Sequence, residues 1–366
     1  MGRLKGAQGQ FLRPETVPEG SIVSVFLVSE EQAGQRLDLF LKNELRRTSR
    51  TRTQAIIAAS AFDVEGKRLR ANHRLRAEEH VLLWRAPWDE TVVPTEIPIL
   101  FEDEHILAVN KPPLLPVHPT ARYHKNTLIK LLQSERPDAF LSLGHRIDRE
   151  TSGVLIVLKT PLADRNFKMA LEGRDDIDKE YVAMTWGIPR ELEGQHSYRY
   201  SRSLQLDPVN ALRVKMRFAE EGVEGALHSA TRFRLAATAV GEKDHFYGNN
   251  RYALVRCALE TGRQHQIRMH LLGLDAPIVG DKLYGPDDRM FARSADGELT
   301  EEDGEALEIP RHALHAARMA FNHPISGERV SIFAPLPNDL ATFWTGLGGE
   351  GNRADELAAL AERIDF

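Results

Sequence analysis

A ten-residue segment, residues 144–153, brings together side chains of the kinds that carry out chemistry. It reads Gly-His-Arg-Ile-Asp-Arg-Glu-Thr-Ser-Gly and comes directly before an apolar run at residues 154–158. Carboxylates beside arginines and a histidine can serve as general acids, general bases or nucleophiles, and loops at strand ends often carry such groups. The alternative is an exposed loop whose charges pair with one another, and the spacing alone favours neither interpretation.

A second polar cluster, residues 262–271, has the pattern of a helix. Ile267 and Leu271 are four residues apart and share one helical face, whereas Arg263 and Arg268 lie elsewhere around the same turn. The simpler interpretation is an amphipathic helix with a solvated polar face. The alternative is a helix whose arginines serve a functional site.

Histidine and cysteine spacing argues against a metal site. His265 and His270 are five residues apart, whereas metal ligands on one helix prefer three or four. His312 and His315 have the favourable spacing but no third ligand clustered with them. The single cysteine, Cys257, excludes an internal disulfide and every multi-cysteine zinc site, and its apolar surroundings predict a core position. We therefore expect no metal and a reducing, cytoplasmic compartment.

Motifs that define several large enzyme classes are missing. The chain has no GxxxxGK[ST] phosphate loop and no GxSxG elbow. A GxGxxG pattern at residues 346–351 follows no strand signal and is interpreted as a flexible connector. These absences disfavour kinases and other NTPases, dinucleotide-dependent oxidoreductases and α/β-hydrolases.

Charge is distributed unevenly along the 366 residues, although the net charge is only −5. Residues 33–86 contain 12 Lys and Arg against 6 Asp and Glu, whereas residues 287–308 contain 9 acidic and 2 basic residues. The basic segment indicates contact with phosphates, and the acidic segment indicates an excursion near the C-terminus. No apolar run reaches the length of a membrane span, and no secretory signal is evident. No exposed apolar stripe is evident either, which favours a monomer.

The elements that must position the two polar clusters alternate irregularly along the chain. Strands outnumber helices, which predicts an α+β fold with a mixed, mostly antiparallel sheet rather than a regular βαβ repeat. Residues 241–250 and 286–308 are polar and are predicted to be surface insertions. We predict helices at residues 127–132 and 161–171, and strands at residues 97–101, 106–109, 154–158, 181–186, 214–218, 227–235, 252–259, 314–319 and 330–333.

A small N-terminal module is predicted at residues 33–86. Apolar spacing predicts helices at residues 37–45 and 50–59, with Ser49 as the N-cap of the second, followed by short strands at residues 61–64 and 81–84. Basic residues surround this helix–turn–helix, which raises phosphate binding above the alternative of a solvated face. They are Arg36, Lys42, Arg46, Arg47, Arg50 and Arg52.

The motifs in the chain resemble those of the RluA family of RNA pseudouridine synthases. His145-Arg146-Ile147-Asp148-Arg149-Glu150-Thr151-Ser152-Gly153 is similar to the family signature HRLDxxTSG, with Ile147 in place of leucine. Four further motifs occur in the family order. They are Asn110-Lys111-Pro112-Pro113 with Val117-His118-Pro119, Lys179-Glu180-Tyr181 with Ala183 and Gly187, Thr261-Gly262-Arg263-Gln264-His265-Gln266-Ile267-Arg268 with His270 (TGRxHQIRxH), and Gly280-Asp281-Lys282-Leu283-Tyr284-Gly285 (GDxLYG).

The N-terminal module resembles the S4-like RNA-binding domain that many members of this family carry. Arg36-Leu37-Asp38 and Ser49-Arg50 carry this resemblance, and Ser60 stands where such modules often have a glycine. The resemblance as a whole implies a pseudouridine synthase fold joined to a small S4-like α/β module. The acidic segment at residues 287–308 has no counterpart in the family pattern.

The resemblance also implies an activity, the isomerisation of uridine to pseudouridine in ribosomal or transfer RNA without a cofactor or metal. Asp148 would be the catalytic carboxylate close to the anomeric carbon, acting either by covalent addition or by deprotonation of the sugar. Arg268 would keep it ionised, with Arg263 as the second choice, because a nearby arginine opposes the effect of burial. Tyr181 would lie against the flipped base and assist proton transfer at carbon 5.

RNA contacts are expected from both parts of the chain. Arg146 and Arg149 are candidates for holding flanking phosphates, and ion pairs with Glu150 or Asp148 are the alternative. The full expected set is Arg146, Arg149, Arg263, His265, Arg36, Arg46, Arg47, Arg50 and Arg52. Two other functions compete with the synthase: a non-catalytic RNA-binding protein that retains the fold, which the Asp148, Tyr181 and Arg268 set disfavours, and a carboxylate-dependent nucleoside hydrolase.

The sequence divides into five predicted segments. Residues 1–32 form a tail and a first strand, residues 33–86 the S4-like domain, and residues 87–96 a linker that belongs to a proline-containing stretch. Residues 97–346 form the catalytic domain, with the acidic insertion at about 287–308. Residues 347–366 form a C-terminal helix.

Overall fold

The chain divides into two units, Met1–Asp89 and Glu90–Phe366, in a computed structural model. The structure describes residues 11–45, 49–87, 89–120, 122–173, 176–210, 214–348 and 357. None of the helices in these ranges combines the length and the apolar composition of a membrane span. Apart from residues 347, 348 and 357, the predicted C-terminal helix lies outside the described residues.

The first unit packs two helices against a small antiparallel sheet. Its elements are β1 (Ile22–Leu27), α1 (Leu37–Glu44), α2 (Arg50–Ser60), β2 (Ala61–Phe62) and β3 (His80–Arg85), with the strands in the order β1-β3-β2. Both predicted helices are present. Ser49 caps α2 as predicted, since its hydroxyl accepts a 3.2 Å hydrogen bond from the backbone N–H of Arg52. Phe26, Phe40 and Ile57 belong to the core that joins the helices to the sheet.

The second unit contains one ten-stranded sheet and one separate two-stranded sheet. Its strands are β4 (Ile99–Glu102), β5 (Ile106–Lys111), β6 (Ser142–Leu143), β7 (Ser152–Leu158), β8 (Asp178–Trp186), β9 (Tyr198–Ser201), β10 (Leu204–Leu206), β11 (Met216–Phe218), β12 (Ala230–Val240), β13 (Arg251–Leu259), β14 (Leu314–Asn322) and β15 (Arg329–Phe333). Its helices are α3 (Leu128–Glu135), α4 (Pro161–Gly173), α5 (Gln266–Leu272), α6 (Arg289–Asp296), α7 (Glu301–Leu307) and α8 (Asn338–Gly346).

The strand order of the large, ten-stranded sheet is β4-β5-β7-β14-β8-β13-β12-β9, with β15 on β14 and β6 on β7. Strands β10 and β11 form a separate antiparallel pair. Within the described residues, β7 and β14 are the one parallel pair of named strands in the large sheet, and the others are antiparallel. The mixed, mostly antiparallel sheet that the sequence predicts is therefore confirmed.

Strand β7 is the rigid element directly after the first polar cluster. All seven of its residues are buried, because the sheet has core on both faces. Leu155 and Val157 belong to one core cluster, and Val154, Ile156 and Leu158 belong to another. Each such side chain contributes about 1.5–3 kcal/mol when buried, so the strand is a firm base for the loop that precedes it.

Gly153 brings β7 and β14 unusually close together. Its φ of +110° lies in a region that favours glycine, and an added Cβ would lie only 2.1 Å from the carbonyl oxygen of Ala316. The parallel register pairs Ser152 with His315 and Gly153 with Ala316. The glycine that ends the first polar cluster therefore places this loop beside the start of β14.

The structure adds detail to one polar segment and decides between two interpretations of another. The segment at residues 286–308, predicted to be a surface insertion, contains α6 and α7. Met290 and Leu307 are buried, and Thr300 and Asp303 form a capping box at the start of α7. The helix in residues 262–271 has no solvated polar face, since Gln266, Arg268 and His270 are all buried. Of the two interpretations of that helix, the solvated polar face is therefore wrong, because tertiary packing buries its polar side chains.

Candidate active site

Asp148 lies in the loop between β6 and β7, and its carboxylate remains partly accessible. Its side chain is 30% exposed, whereas the side chain of Arg268 is only 6% exposed. The carboxylate Oδ2 accepts a 2.9 Å hydrogen bond from Nη1 of Arg268, which comes from α5. Two residues that are 120 positions apart in the sequence are thus joined, as the sequence analysis expected.

Arg268 is itself held by a second carboxylate. Its Nε and Nη2 donate to Asp281 at 2.6 and 2.7 Å, and Asp281 is fully buried. Asp281 also accepts hydrogen bonds from the backbone N–H groups of Leu283 and Tyr284. Because this bidentate pair fixes the plane of the guanidinium, the position of Nη1 toward Asp148 is fixed as well.

The TGRxHQIRxH spacing explains how α5 presents Arg268. His265 precedes the helix in a left-handed conformation with φ of +56°, and the buried Gln266 then anchors the first turn. Its Oε1 accepts hydrogen bonds from the hydroxyl of Thr261 (2.6 Å) and the backbone N–H of Arg263 (3.0 Å). Its Nε2 donates to the carbonyl of Ala230 on β12 at 2.9 Å. The helix is therefore locked to the sheet two residues before Arg268.

Asp148 is ionised at neutral pH. Burial acts to raise its pKa, but the charge that His265 carries at acidic pH and the permanent charge of Arg268 outweigh this effect and lower the pKa to about 2. His265 has its own pKa lowered to about 4, mainly by burial, and is therefore neutral at pH 7. Arg268 is thus the cation that keeps Asp148 charged at neutral pH. An ionised, partly accessible carboxylate can act as a nucleophile or as a general base.

His265 lies between Asp148 and Tyr284. Its Nε2 is 3.9 Å from Oδ1 of Asp148, and its Nδ1 is 2.7 Å from the Tyr284 hydroxyl. Tyr284 also accepts a hydrogen bond from the backbone N–H of Met216, and its ring lies 4.9 Å from the Arg268 guanidinium carbon. His265 therefore belongs to the wall of the Asp148 site.

Tyr181 is on β8, between Cys257 on β13 and Ala316 on β14. It is 8% exposed. Burial raises the pKa of its phenol, and the negative charge of Asp148 raises it further. The phenol is therefore protonated at neutral pH, and Asp148 is close enough to influence its pKa. Of the three residues expected at the catalytic centre, Asp148 and Arg268 are in direct contact.

Arg146 and Arg149 contact the loop that follows the NKPP motif. Nη1 of Arg149 donates to the Tyr123 hydroxyl at 2.9 Å, and its Nη2 lies 3.5 Å from the Glu150 carboxylate. Arg146 is exposed, with Nη1 3.4 Å from Nε2 of His118. Both arginines lie in the loop that carries Asp148, and Arg146 is the more exposed of the two.

Arg263 is not the partner of Asp148. Its Nε donates to the backbone carbonyl of His228 at 3.0 Å. Of the two arginines considered for the role, Arg268 is the one that the structure joins to the carboxylate.

The arginines of the first unit divide into two kinds. Arg36 and Arg50 both donate to Asp38, at 3.0 and 3.2 Å, and the Arg36 hydrogen bond lowers the pKa of that fully buried carboxyl. Arg52 is exposed on α2. The remaining two of the expected set, Arg46 and Arg47, lie outside the described residues. Arg36 and Arg50 therefore stabilise the fold as well as lining the surface.

His312 and His315 are buried and bonded to hydroxyl groups. Nε2 of His312 is 2.8 Å from the Thr151 hydroxyl, and Nδ1 of His315 is 2.9 Å from the Ser152 hydroxyl. In the part of the chain that the structure describes, no group of three or more His, Cys, Asp or Glu side chains could hold a metal ion.

Sequence reasoning assigned no role to the buried charges around this loop. Lys111 is fully buried and donates to the carbonyls of Pro112, Leu115 and Arg149 at 2.7, 3.0 and 3.1 Å. Burial lowers the pKa of this lysine well below its ordinary value. The position of Lys111 in the NKPP motif could have marked it as a residue of interest. Its three carbonyl partners, however, follow from no sequence pattern.

Comparison with known proteins connects this geometry to one family. Residues 105–272 match the family model for RNA pseudouridylate synthase. The chain is 31% identical over 348 residues to the ribosomal large subunit pseudouridine synthase D of Xanthomonas campestris pv. campestris, covering 93% of this chain and 97% of that protein. It is 34% identical over 334 residues to the ribosomal large subunit pseudouridine synthase C of Escherichia coli O6:H1, covering 87% and 94%.

Solved structures show the same fold. Human RNA pseudouridylate synthase domain containing 1 superposes with a TM-score of 0.54 at 21% identity, covering 75% of this chain and 98% of that one. Human RNA pseudouridylate synthase domain containing 4 gives a TM-score of 0.50 at 22% identity, covering 71% and 93%.

Proposed function

The chain belongs to the RluA family of RNA pseudouridine synthases, and from that premise we propose that it isomerises uridine in ribosomal RNA with Asp148 as its catalytic carboxylate. The enzyme is an isomerase that acts on RNA. The observation that supports the role of Asp148 is its bond to Arg268, which is in turn fixed by the fully buried Asp281. Ribosomal rather than transfer RNA is proposed because the two relatives are named as ribosomal large subunit enzymes.

The reaction breaks the bond between N1 of uracil and C1′ of ribose and forms a bond between C5 and C1′. The hydrogen on C5 leaves as a proton and N1 gains a proton, so the product is an isomer of the substrate. Asp148 would act at the sugar, either by adding to it or by removing a proton from it. Both roles need an ionised carboxylate, which the lowered pKa of Asp148 provides at neutral pH.

Tyr181 would contact the uracil after it leaves the base stack. Because burial raises the pKa of this phenol, we assign it ring contact and hydrogen-bond donation in the resting enzyme, followed by a part in proton transfer at C5. Extruding a base costs a few kcal/mol. Unpaired or already splayed uridines in RNA loops are therefore the favoured substrates.

RNA would be held mainly through its phosphates. Arg146, Arg149 and Arg263 are the proposed contacts in the second unit, and the exposed Arg52 represents the basic surface of the first unit. Phosphate contacts of this kind add affinity that falls with salt. We further propose that the enzyme acts as a monomer in the cytoplasm, and that the isomerisation needs no cofactor because it involves no net redox change.

The experiment that tests this function uses transcripts of large-subunit ribosomal RNA carrying tritium at C5 of uridine. A synthase releases tritium to water and leaves both the chain and the base count intact. Release of free uracil would instead identify a nucleoside hydrolase. Binding without either product would identify a non-catalytic RNA-binding protein. Transfer RNA transcripts labelled in the same way provide the comparison that tests the choice of substrate.

A further inference from the structure

Asp281 and Lys282 are neighbours in the chain, and each of them holds a different part of the loop that carries Asp148. Asp281 orients Arg268, which bonds to Asp148. Nζ of Lys282 bonds to Oε1 of Glu150 at 2.9 Å, two residues after Asp148. One dipeptide thus braces the loop at two points.

The Glu150–Lys282 pair is withdrawn from solvent. The side chain of Lys282 is 3% exposed and that of Glu150 is 13% exposed. Both carboxylate oxygens of Glu150 are engaged, because Oε2 accepts a 3.1 Å hydrogen bond from the backbone N–H of His312. Lys282 also donates to the carbonyl of Pro310 at 2.5 Å. A lysine this deeply buried cannot contact an RNA phosphate directly.

The backbone around this dipeptide leaves little room for adjustment. Gly280 has a φ of +75°, and an added Cβ would lie 2.2 Å from the carbonyl oxygen of Arg311. Arg311 in turn donates to the carbonyl of Glu150 at 3.1 Å. Two connections therefore join the Asp148 loop to the segment at residues 280–282. One is the Lys282–Glu150 pair, and the other is Arg311, which bonds to the carbonyl of Glu150 and packs closely against Gly280.

We propose that Glu150 and Lys282 are a positioning pair for the isomerisation, which sets where the Asp148 carboxylate meets Arg268 and the ribose. The proposal rests on the proposed function of Asp148. The family signatures leave both positions open, since Glu150 is the second x of HRLDxxTSG and Lys282 is the x of GDxLYG. The motifs therefore do not specify this pair.

The physical reason is the cost of an unpaired charge in a tight loop. Without Lys282, the Glu150 carboxylate loses its shortest cationic contact, and the Arg149 guanidinium that still faces it is farther away, at 3.5 Å. The His312 imidazole, 3.6 Å away, does not replace the charge, because burial lowers its pKa to about 3 and leaves it neutral at pH 7. A buried carboxylate without its partner moves toward solvent or takes up a proton. Either change alters the backbone two residues from Asp148, and a displacement of about 1 Å can reduce a rate about 100-fold.

The test measures single-turnover tritium release and the KM for RNA in the full-length protein. We expect Lys282→Met to lower kcat at least about 10-fold, with the KM changed less than twofold because Lys282 does not reach the RNA. Glu150→Gln, which preserves size, should also lower kcat at unchanged KM. Adding Glu150→Gln to Lys282→Met should recover part of the lost rate, because the double variant has no unpaired carboxylate.

Lys159→Met is the matched control. Lys159 forms a 2.7 Å pair with Glu102, and it follows β7, whereas Asp148 precedes that strand. The seven-residue strand separates the two positions by about 20 Å. This variant removes the same charge and should retain the wild-type kcat and KM.

The outcomes separate this inference from the function on which it rests. A wild-type enzyme that releases no tritium contradicts the proposed function. An active wild type combined with a folded Lys282→Met variant of normal kcat overturns the positioning pair, as does a raised KM at unchanged kcat. If Lys282→Met does not fold, Glu150→Gln decides the question alone, because its normal kcat would equally overturn the pair.

Discussion

Replacing Asp281 by asparagine removes a charge that does not touch Asp148 but fixes the arginine that does. The wild-type carboxylate takes two hydrogen bonds from Arg268, at 2.6 and 2.7 Å, and both groups are almost completely buried. Breaking a buried ion pair by removing one partner typically costs about 3–5 kcal/mol. We therefore expect Asp281→Asn to lose about that much of the free energy of unfolding at pH 7.

The same substitution should also slow the reaction. Asparagine can accept only one of the two guanidinium hydrogen bonds, so Arg268 is free to rotate and Asp148 loses its fixed partner. A misplacement of about 1 Å is enough to reduce the rate about 100-fold. Urea unfolding measures the stability loss, and single-turnover tritium release on folded protein measures the rate.

Asp303→Asn is the control for this prediction. Asp303 makes the same bidentate contact with Arg293, at 2.7 and 2.5 Å, but the Arg293 side chain is 30% exposed. Because solvent reaches the guanidinium and screens that pair, we expect a clearly smaller loss of stability and a normal rate. If Asp281→Asn behaves like this control in both stability and rate, the fixed-guanidinium account is incorrect.

Three further predictions test separate parts of the account. If the Tyr181 phenol takes part in proton transfer, the Tyr181→Phe variant should bind RNA normally but have a kcat that is lower by about 100-fold or more. A normal kcat would contradict the proton-transfer role and leave Tyr181 only the ring contact with the base. The pKa of His270, between the hydroxyls of Ser229 and Thr231, is lowered to about 4 chiefly by burial. Its neutral form therefore contributes stability that is complete above about pH 6.5 and is lost as the pH falls toward 4. His270→Gln should flatten the decline in unfolding free energy between pH 7 and 5, and an unchanged slope would contradict this. Gly153→Ala should lower the free energy of unfolding by more than about 3 kcal/mol, because the added Cβ would overlap Ala316. Gly297 has a φ of +77° and open space around it, so Gly297→Ala should lower the free energy of unfolding by about 1 kcal/mol. Equal losses for the two variants in urea unfolding would contradict the close approach at Gly153.

Much of the fold follows from local sequence patterns. The apolar run at residues 154–158 predicts β7 because a strand buried on both faces needs uninterrupted apolar residues. The helices α1, α2 and α4 follow from apolar spacing and from caps such as Ser49. These features depend on neighbours in sequence, so they can be predicted without tertiary information.

The helices of the acidic segment could not be predicted in the same way. Helices α6 and α7 are short and strongly charged, and each has a single residue buried from its apolar set, Met290 or Leu307. The packing of these two side chains, together with the Arg293–Asp303 pair, distinguishes the segment from a solvated loop. The burial of the polar residues of α5 could not be predicted either. Arg268 is buried because Asp281, 13 positions later in the sequence, pairs with it.

The residues of the site likewise divide into those that the sequence could predict and those that it could not. The motif resemblance points to Asp148, Tyr181 and Arg268, and the structure joins Asp148 directly to Arg268. The pairing of Glu150 with Lys282 could not be predicted, since these residues are 132 positions apart. A buried charge is stable only where a partner meets it in three dimensions. Sequence spacing therefore identifies reactive residue types, whereas coordinates identify the residues that hold them in place.

The central claim is that the Asp148 carboxylate performs the chemistry. The most direct measurement is single-turnover tritium release from C5-labelled ribosomal RNA by Asp148→Asn, compared with wild type at equal folded concentration and saturating enzyme. The account predicts that the variant binds RNA with wild-type affinity and releases no tritium above background. Tritium release at the wild-type rate by the folded variant would contradict it.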